Sequence, residues 1–150
     1  MTVIAVGKRH ESWITDGLER YEKRLGKPWD VKWVLLPHSP AEGVSARQDE
    51  SERILQRLGP DDFVILLDER GKLLDSPALA KQMEMVFPTG KNIVCIIGGA
   101  YGVNEALTKR AHLVWALSPL VFPHQLVRLI LIEQVYRAQE IALGHPYHHL

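Results

Sequence analysis

Short apolar runs alternate with longer amphipathic segments along most of the chain. Five such runs, each rich in Val, Ile or Leu and without regular polar alternation, cover residues 2–7, 31–36, 62–67, 92–97 and 112–117. Runs of this kind are typical of strands in a parallel sheet that is covered on both faces. The pattern therefore predicts an α/β fold, with a parallel sheet flanked by helices on both faces.

The amphipathic segments predict helices at residues 11–25, 41–58, 76–87, 103–110 and 124–143. Ser76 is expected to cap the third helix, because Pro77 suits the first helical position. Gly26 and the Gly59-Pro60 pair follow the first two segments and are typical helix stops. No repeat or linker interrupts the series, so residues 1–150 are expected to form a single domain.

The last predicted helix is apolar on nearly all sides. Its polar residues Arg128, Glu133, Arg137 and Glu140 do not gather on one face of a helical wheel. A helix with this pattern is buried. In a chain of 150 residues such burial is easiest if the helix packs partly against a second copy, so the pattern predicts a symmetric homodimer.

Composition narrows the location of the protein. With 46% hydrophobic and 24% charged residues, the chain is typical of a globular protein. Its one cysteine, Cys95, lies in an apolar run and is expected to be buried without a disulfide, which fits a reducing compartment. No signal-peptide core and no apolar stretch of membrane-spanning length is visible, so we expect a cytoplasmic protein without a membrane partner.

Charge and histidine usage bear on ligands. The 18 basic and 18 acidic residues balance, which argues against coating of nucleic acid by counterion release alone. Local basic groups at Lys8, Arg9, Lys23, Arg24 and Lys27 can dock a phosphate backbone, although a solvated face is slightly favoured. With seven histidines but one cysteine, and no separated ligands on a rigid frame, no metal is expected.

Aromatic and methionine side chains have a packing interpretation and a binding one. Trp13, Trp29 and Trp33 can stack on bases, yet their positions in a helix, a turn and a strand favour packing. Met83 and Met85 are expected to fill the core.

Candidate chemistry lies in three loops that follow predicted strands, at residues 68–71, 98–102 and 118–123. In open α/β sheets, ligands bind at this edge. The glycine-rich loop 98–102 either lets backbone groups approach a nucleoside or amino-acid ligand or forms only a tight turn, and both interpretations carry equal weight. It lacks the Walker A and GxGxxG patterns, which disfavours ATP and NAD. The mixed-charge run 68–70 can hold a metal or act as acid and base, but a solvated loop is favoured.

Charged and polar residues near the C-terminus form a second candidate group. Glu133 and Arg137 are one helical turn apart, acid first, which suits an intrahelical ion pair. Because ions in an apolar helix are costly to desolvate, Arg137 is equally a candidate for contacting a substrate phosphate or a reacting carbonyl oxygen. Tyr147 and His148 can stack on a base or assist proton transfer.

Six motifs in one order carry a resemblance to a known family. They are Leu67-Asp68-Glu69-Arg70-Gly71, Ile97-Gly98-Gly99-Ala100-Tyr101-Gly102, Leu117-Ser118, Phe122-Pro123-His124-Gln125-Leu126-Val127-Arg128, Glu133-Gln134-Val135-Tyr136-Arg137-Ala138 and Gly144-His145-Pro146-Tyr147-His148. Together they resemble the RlmH family of SPOUT-superfamily methyltransferases, which modify pseudouridine in large-subunit ribosomal RNA. The resemblance spans the whole chain.

The resemblance implies a SPOUT-type domain with a C-terminal deep trefoil knot, and an obligate homodimer with its active site at the interface. It also implies S-adenosylmethionine as methyl donor, with contacts at Leu67, Gly98, Leu117, Ser118, Pro119, Leu120, Val121 and Phe122. Where many relatives have Thr, this chain has Val121, so one hydroxyl contact is lost. We expect binding to persist because it uses mainly backbone groups.

The same resemblance implies methyl transfer to N3 of a pseudouridine in 23S ribosomal RNA. In such an in-line displacement, alignment and removal of the N3 proton are the main tasks of the enzyme. Arg137, Tyr147 and His148 are the candidate catalytic residues, and the balanced net charge favours recognition of the assembled ribosome. The alternatives are a non-catalytic ribosome- or RNA-binding factor of the same fold and an α/β enzyme that uses another nucleotide.

Overall fold

Five parallel strands form one sheet, in a computed structural model that describes residues 1–147. The strands are β1 (Thr2–Val6), β2 (Lys32–Leu36), β3 (Phe63–Leu73), β4 (Ile93–Ile97) and β5 (Leu113–Ala116). Their order across the sheet is β2-β1-β4-β3-β5, and every neighbouring pair is parallel. Each apolar run thus forms a strand, and the predicted parallel α/β sheet is confirmed.

Helices cover both faces of this sheet. They are α1 (Ser12–Glu22), α2 (Gly43–Leu55), α3 (Ser76–Val86), α4 (Glu105–Arg110) and α5 (His124–Ala142), with a short 3₁₀ helix at Phe87–Thr89. Helices α1 and α3 pack against α5, whereas α2 contacts α4. Alternate residues of β1 serve two separate cores, Val3 and Ala5 on the α5 side, Ile4 and Val6 on the other.

The α3 cap differs from the predicted one by one residue. The Asp75 carboxylate accepts a hydrogen bond of 2.8 Å from the Ala78 backbone N–H, so Asp75 and not Ser76 caps the helix. The Ser76 hydroxyl instead donates to Gln134 Oε1 at 2.7 Å, which ties α3 to α5. The prediction of a cap at Ser76 was wrong because the acidic side chain one residue earlier competes better for the free N–H groups.

Strand β3 continues beyond its predicted end at residue 67. Leu67 and Lys72 both pair with Trp115 of β5, so residues 68–71 bulge out of the strand before it resumes. At Gly71 a Cβ atom would lie 2.6 Å from the Val114 carbonyl oxygen, and only glycine permits this approach of the two backbones. The predicted loop 68–71 is therefore a bulge inside a longer strand.

Two packing predictions were wrong and the others hold. Trp29 and Met83 lie in the core, Cys95 is fully buried as predicted, and Trp33 is half-buried against the core. In contrast, Trp13 is 57% and Met85 is 64% exposed. Trp13 directly precedes the buried Ile14, and Met85 directly precedes the buried Val86. Successive residues of a helix point about 100° apart, so both side chains point away from the buried face.

No helix within residues 1–147 is long and apolar enough to cross a membrane.

Candidate functional site

A cleft of about 450 Å³ opens at the carboxyl ends of β3, β4 and β5. Its walls come from the bulge after Leu67, the glycine-rich loop after β4 and the segment that leads from β5 into α5. Because the strands are parallel, their three following loops meet at one edge of the sheet. The cleft falls within the size range of small-molecule sites, about 300–1,000 Å³.

The structure brings nearly all the predicted cofactor-binding residues to this cleft. Those that line it are Leu67, Gly98, Leu117, Ser118, Leu120, Val121 and Phe122. Pro119 is not among the lining residues. The loop is shaped by Ser118, whose Oγ accepts a 3.0 Å hydrogen bond from the Leu120 backbone N–H. Leu120 and Val121 expose 68% and 76% of their surface at the rim, so their apolar side chains are available to a ligand or a partner.

The glycine-rich loop forms a tight turn that also leaves its backbone accessible. The Gly102 N–H donates to the Gly99 carbonyl at 3.0 Å, and Gly102 has a φ of +71°, which favours glycine. At Gly98 a Cβ atom would lie 2.9 Å from Val103 Cγ1. The tight-turn interpretation is confirmed, and because the loop also lines the cleft, ligand contact by its backbone stays a prediction.

Behind this loop lies a buried carboxylate that the sequence did not reveal. Glu50 of α2 is 4% exposed, and its Oε1 accepts a 2.9 Å hydrogen bond from the Ser39 backbone N–H. Its Oε2 has no hydrogen-bond partner among the described residues and points toward Gly99. In the sequence, Glu50 is one of several charged residues in a polar helix, so nothing distinguishes it as buried or as a neighbour of Gly99.

The mixed-charge run lies at the rim of the cleft, where Asp68 is half-buried and Glu69 and Arg70 are exposed to solvent. Asp68 accepts hydrogen bonds from Arg70 Nε at 2.9 Å and from Arg70 Nη2 at 2.8 Å. The hydrogen bond from Arg70 is the main cause that lowers the pKa of Asp68, so its carboxylate is ionised at neutral pH. Within residues 1–147, no group of three or more His, Cys, Asp or Glu side chains could hold a metal ion.

One imidazole, His124, also lines the cleft, at the first position of α5. Burial, followed by the positive charge of Arg128, lowers the pKa of His124. The ring is therefore neutral at neutral pH and able to accept a hydrogen bond. His124 lies in a family-like motif but was not predicted as a site residue.

The predicted catalytic residues form a second cluster on α5. Glu133 Oε1 lies 2.6 Å from Arg137 Nη2, which confirms the predicted ion pair. The Arg137 guanidinium lies 4.8 Å from the centre of the Tyr147 ring, and the Tyr147 hydroxyl donates to Glu133 at 3.2 Å. His148 lies outside the described residues.

This cluster is not part of the cleft of the same chain. Arg137 follows the cleft residue Val127 by ten positions, or about 15 Å along the helix.

Burial raises the pKa of Tyr147 to about 12, and a hydrogen bond to Glu133 raises the pKa of Arg137. At neutral pH both side chains are therefore proton donors in hydrogen bonds and not bases.

Comparison with known proteins identifies the class to which this fold and cleft belong. Residues 1–148 match the family model described as predicted SPOUT methyltransferase. The chain therefore belongs to the SPOUT methyltransferase family.

Relatives of similar length carry a more specific name than the family model does. The chain is 41% identical over 157 residues to "Ribosomal RNA large subunit methyltransferase H" of Pelotomaculum thermopropionicum, which covers 99% of this chain and 98% of the relative. A protein of that name from Hahella chejuensis is 38% identical over 150 residues, covering 97% and 96%. Another, from Neisseria meningitidis serogroup C, is 38% identical over 154 residues, covering 99% and 97%.

Proposed function

We propose that the protein is a single-domain, cytoplasmic enzyme that transfers a methyl group from S-adenosylmethionine to N3 of a pseudouridine in 23S ribosomal RNA, on the assembled ribosome. The observation that carries this proposal is the single cleft at which three loops from the carboxyl ends of parallel strands meet. Relatives named as large-subunit ribosomal RNA methyltransferases support the choice of substrate.

The cleft fits S-adenosylmethionine by its size and its lining. Gly98 and Gly99 present bare backbone to the cleft, and Leu67 and Leu117 supply apolar walls suited to an adenine ring. At the rim the ionised Asp68 carboxylate is paired with Arg70, and its oxygens remain able to accept hydrogen bonds from a ligand. When bound, S-adenosylmethionine would supply a methyl group activated by its sulfonium.

The remaining tasks fall to side chains of the protein. Methyl transfer would break the methyl–sulfur bond, leave a neutral thioether and form the methyl–N3 bond, with the N3 proton lost to solvent water. Loss of that proton leaves negative charge on the pseudouridine ring, and a guanidinium stabilises such charge. Arg137 is held in place by Glu133 and stacked on Tyr147, so it is oriented before the substrate arrives. Tyr147, protonated at neutral pH, would donate a hydrogen bond to the base, and we assign His148 to the same group.

We further propose a homodimer in which the Arg137 cluster of one protomer faces the cleft of its partner, and a C-terminal deep trefoil knot that shapes the cleft. The separation of cluster and cleft within one chain supports the dimer, because one active site needs both. A second groove of about 410 Å³ also supports the dimer, because a partner protomer would cover its apolar lining, which includes Trp115, Leu117 and Ile130. The family membership supports the proposal of a knot.

Isothermal titration with S-adenosylmethionine tests the cleft. Wild-type protein should show saturable binding, with none for ATP or NAD. Gly98→Val should abolish binding because a Cβ at position 98 would lie 2.9 Å from Val103 Cγ1 and would displace the loop that lines the cleft, whereas Met85→Ala, on exposed surface of α3, should bind normally. Absence of wild-type binding would favour a non-catalytic RNA-binding factor instead.

Mixed dimers test whether the cleft and the Arg137 cluster of one active site come from different protomers. Gly98→Val and Arg137→Ala are each expected to lack methyl transfer alone. If the site is shared, a heterodimer of the two variants contains one intact site, formed by the cleft of the Arg137→Ala protomer and the Arg137 of the Gly98→Val protomer. Activity should therefore return on mixing. If the cleft and the Arg137 cluster of the same chain acted together, the mixture would stay inactive.

A further inference from the structure

Three exposed side chains lie close together in the chain, Lys8 and Arg9 in the β1–α1 connection and Trp13 in the first turn of α1. Trp13 is 57% exposed, so more than half of its surface faces water and makes no packing contribution. The Trp13 indole N–H donates to the Glu11 carboxylate, so the ring is nevertheless held in one orientation.

This connection is fixed in place by a buried cation. The Arg128 side chain is 0% exposed, and its Nη1 donates to the Arg9 carbonyl at 2.9 Å while its Nη2 donates to the Val6 carbonyl at 2.9 Å and the Gly7 carbonyl at 3.3 Å. Desolvation lowers the pKa of Arg128, which reflects the cost of burying the charge. The fold thus uses a costly buried charge to hold a loop whose own side chains face water.

A second residue of α5 holds the same connection. Gln125 Nε2 donates to the Arg9 carbonyl at 3.2 Å, and Gln125 Oε1 accepts from the Glu11 N–H at 3.0 Å. Gln125 directly follows His124, which lines the cleft, and Val127 of the same helical turn lines it too. The backbone of residues 9–11 is therefore anchored to the first turn of α5, the same turn that contributes His124 and Val127 to the cleft.

We infer that Lys8, Arg9 and Trp13 form an RNA-docking surface that holds the substrate strand next to the cleft, an inference that rests on the proposed function. Lys8 and Arg9 contact phosphates, and the Trp13 ring stacks on an unpaired base. Base stacking on an exposed aromatic ring, combined with nearby cations, is the usual way in which proteins bind single-stranded RNA. Lys8 and Arg9 supply two positive charges near one exposed carboxylate, Glu11, in a chain whose 18 basic and 18 acidic residues balance as a whole.

Steady-state methylation of ribosomes tests this surface. Trp13→Ala and the double variant Lys8→Ala/Arg9→Ala should each raise KM for ribosomes about tenfold, with kcat and the affinity for S-adenosylmethionine unchanged. Trp13→Phe should remain close to wild type because it keeps a ring that stacks. The double variant should also reduce the slope of log KM against log salt by about 1–2, one phosphate contact per cation.

Matched controls are Met85→Ala and Lys91→Ala, which remove an exposed apolar group and an exposed cation away from the cleft mouth. Their KM values should equal that of wild type. An unchanged KM for Trp13→Ala would overturn the inference, and so would an equal effect of the controls.

Crosslinking separates this inference from the proposed function, because it needs no methyl transfer. A photoreactive benzoylphenylalanine placed at position 13 should crosslink to ribosomal RNA when the full-length protein is bound to ribosomes. A crosslink to a ribosomal protein, or no crosslink under conditions in which the protein sediments with ribosomes, would overturn the RNA-docking surface. If wild-type protein transfers no methyl group, the proposed function fails, and the crosslink still decides the role of Trp13.

Discussion

Gly99→Ala should destabilise the protein through a contact with one identified side chain. A Cβ atom at position 99 would lie 2.1 Å from Glu50 Oε2, about 1.3 Å closer than ordinary van der Waals contact, which begins near 3.4 Å. Glu50 cannot move away freely, because it is buried and its Oε1 holds the Ser39 N–H. We expect a loss of about 1–3 kcal/mol in the free energy of unfolding, which is typical of overpacking.

Urea denaturation of a double-mutant series identifies Glu50 as the cause. In a Glu50→Ala background the obstructing atoms are gone, so Gly99→Ala should cost less than about 0.5 kcal/mol. Glu50→Gln keeps the shape of the side chain, and in that background Gly99→Ala should still cost about 1–3 kcal/mol. Equal costs in all three backgrounds would refute a steric contact, and a Gly99→Ala variant as stable as wild type would refute the geometry of the loop.

Three other changes test separate parts of the structure. Arg128→Met leaves the carbonyls of Val6, Gly7 and Arg9 without their donor, so urea denaturation should show a loss of about 2–4 kcal/mol, and wild-type stability would contradict it. Because the folded pKa of Asp68 is lowered, its ionised form stabilises the protein above the ordinary carboxyl pKa, and this contribution is lost as pH falls through the folded pKa. Asp68→Asn should therefore reduce the fall in the free energy of unfolding at acid pH, and an unchanged fall would contradict the lowered pKa of Asp68. Burial raises the pKa of Cys95 to about 12, so a disulfide reagent at pH 8 should label the thiol only after denaturation, and fast native labelling would contradict its burial.

Much of the fold was accessible from the sequence because its signals are local. The strands are continuous apolar runs, and every one of them was predicted within about one residue at its start. The continuation of β3 to Leu73 was missed, since residues 68–72 are charged or glycine and their pairing depends on the backbone of β5. Packing partners across the sheet decide such an extension, and no local pattern encodes them.

The site was accessible in part for a related reason. Parallel strands bring the loops that follow them to one edge, so the cleft could be placed from strand ends alone. The roles of Glu50 and Arg128 could not, because each depends on backbone far away in the chain: Arg128 bonds to Val6, 122 positions before it. The separation of Arg137 from the cleft could be predicted, because the helix expected at residues 124–143 closely matches α5 and places Arg137 more than three turns from its start.

The central claim is that this chain methylates a pseudouridine of large-subunit ribosomal RNA through the cleft at the carboxyl ends of β3, β4 and β5. The most direct measurement is mass spectrometry of ribosomal RNA from ribosomes of cells that lack the gene, after incubation with the purified protein and S-adenosylmethionine. We expect one new methyl group at N3 of a pseudouridine, absent when Gly98→Val replaces the wild-type protein. No added methyl group with wild-type protein, or a methyl group on any other nucleotide or atom, would contradict it.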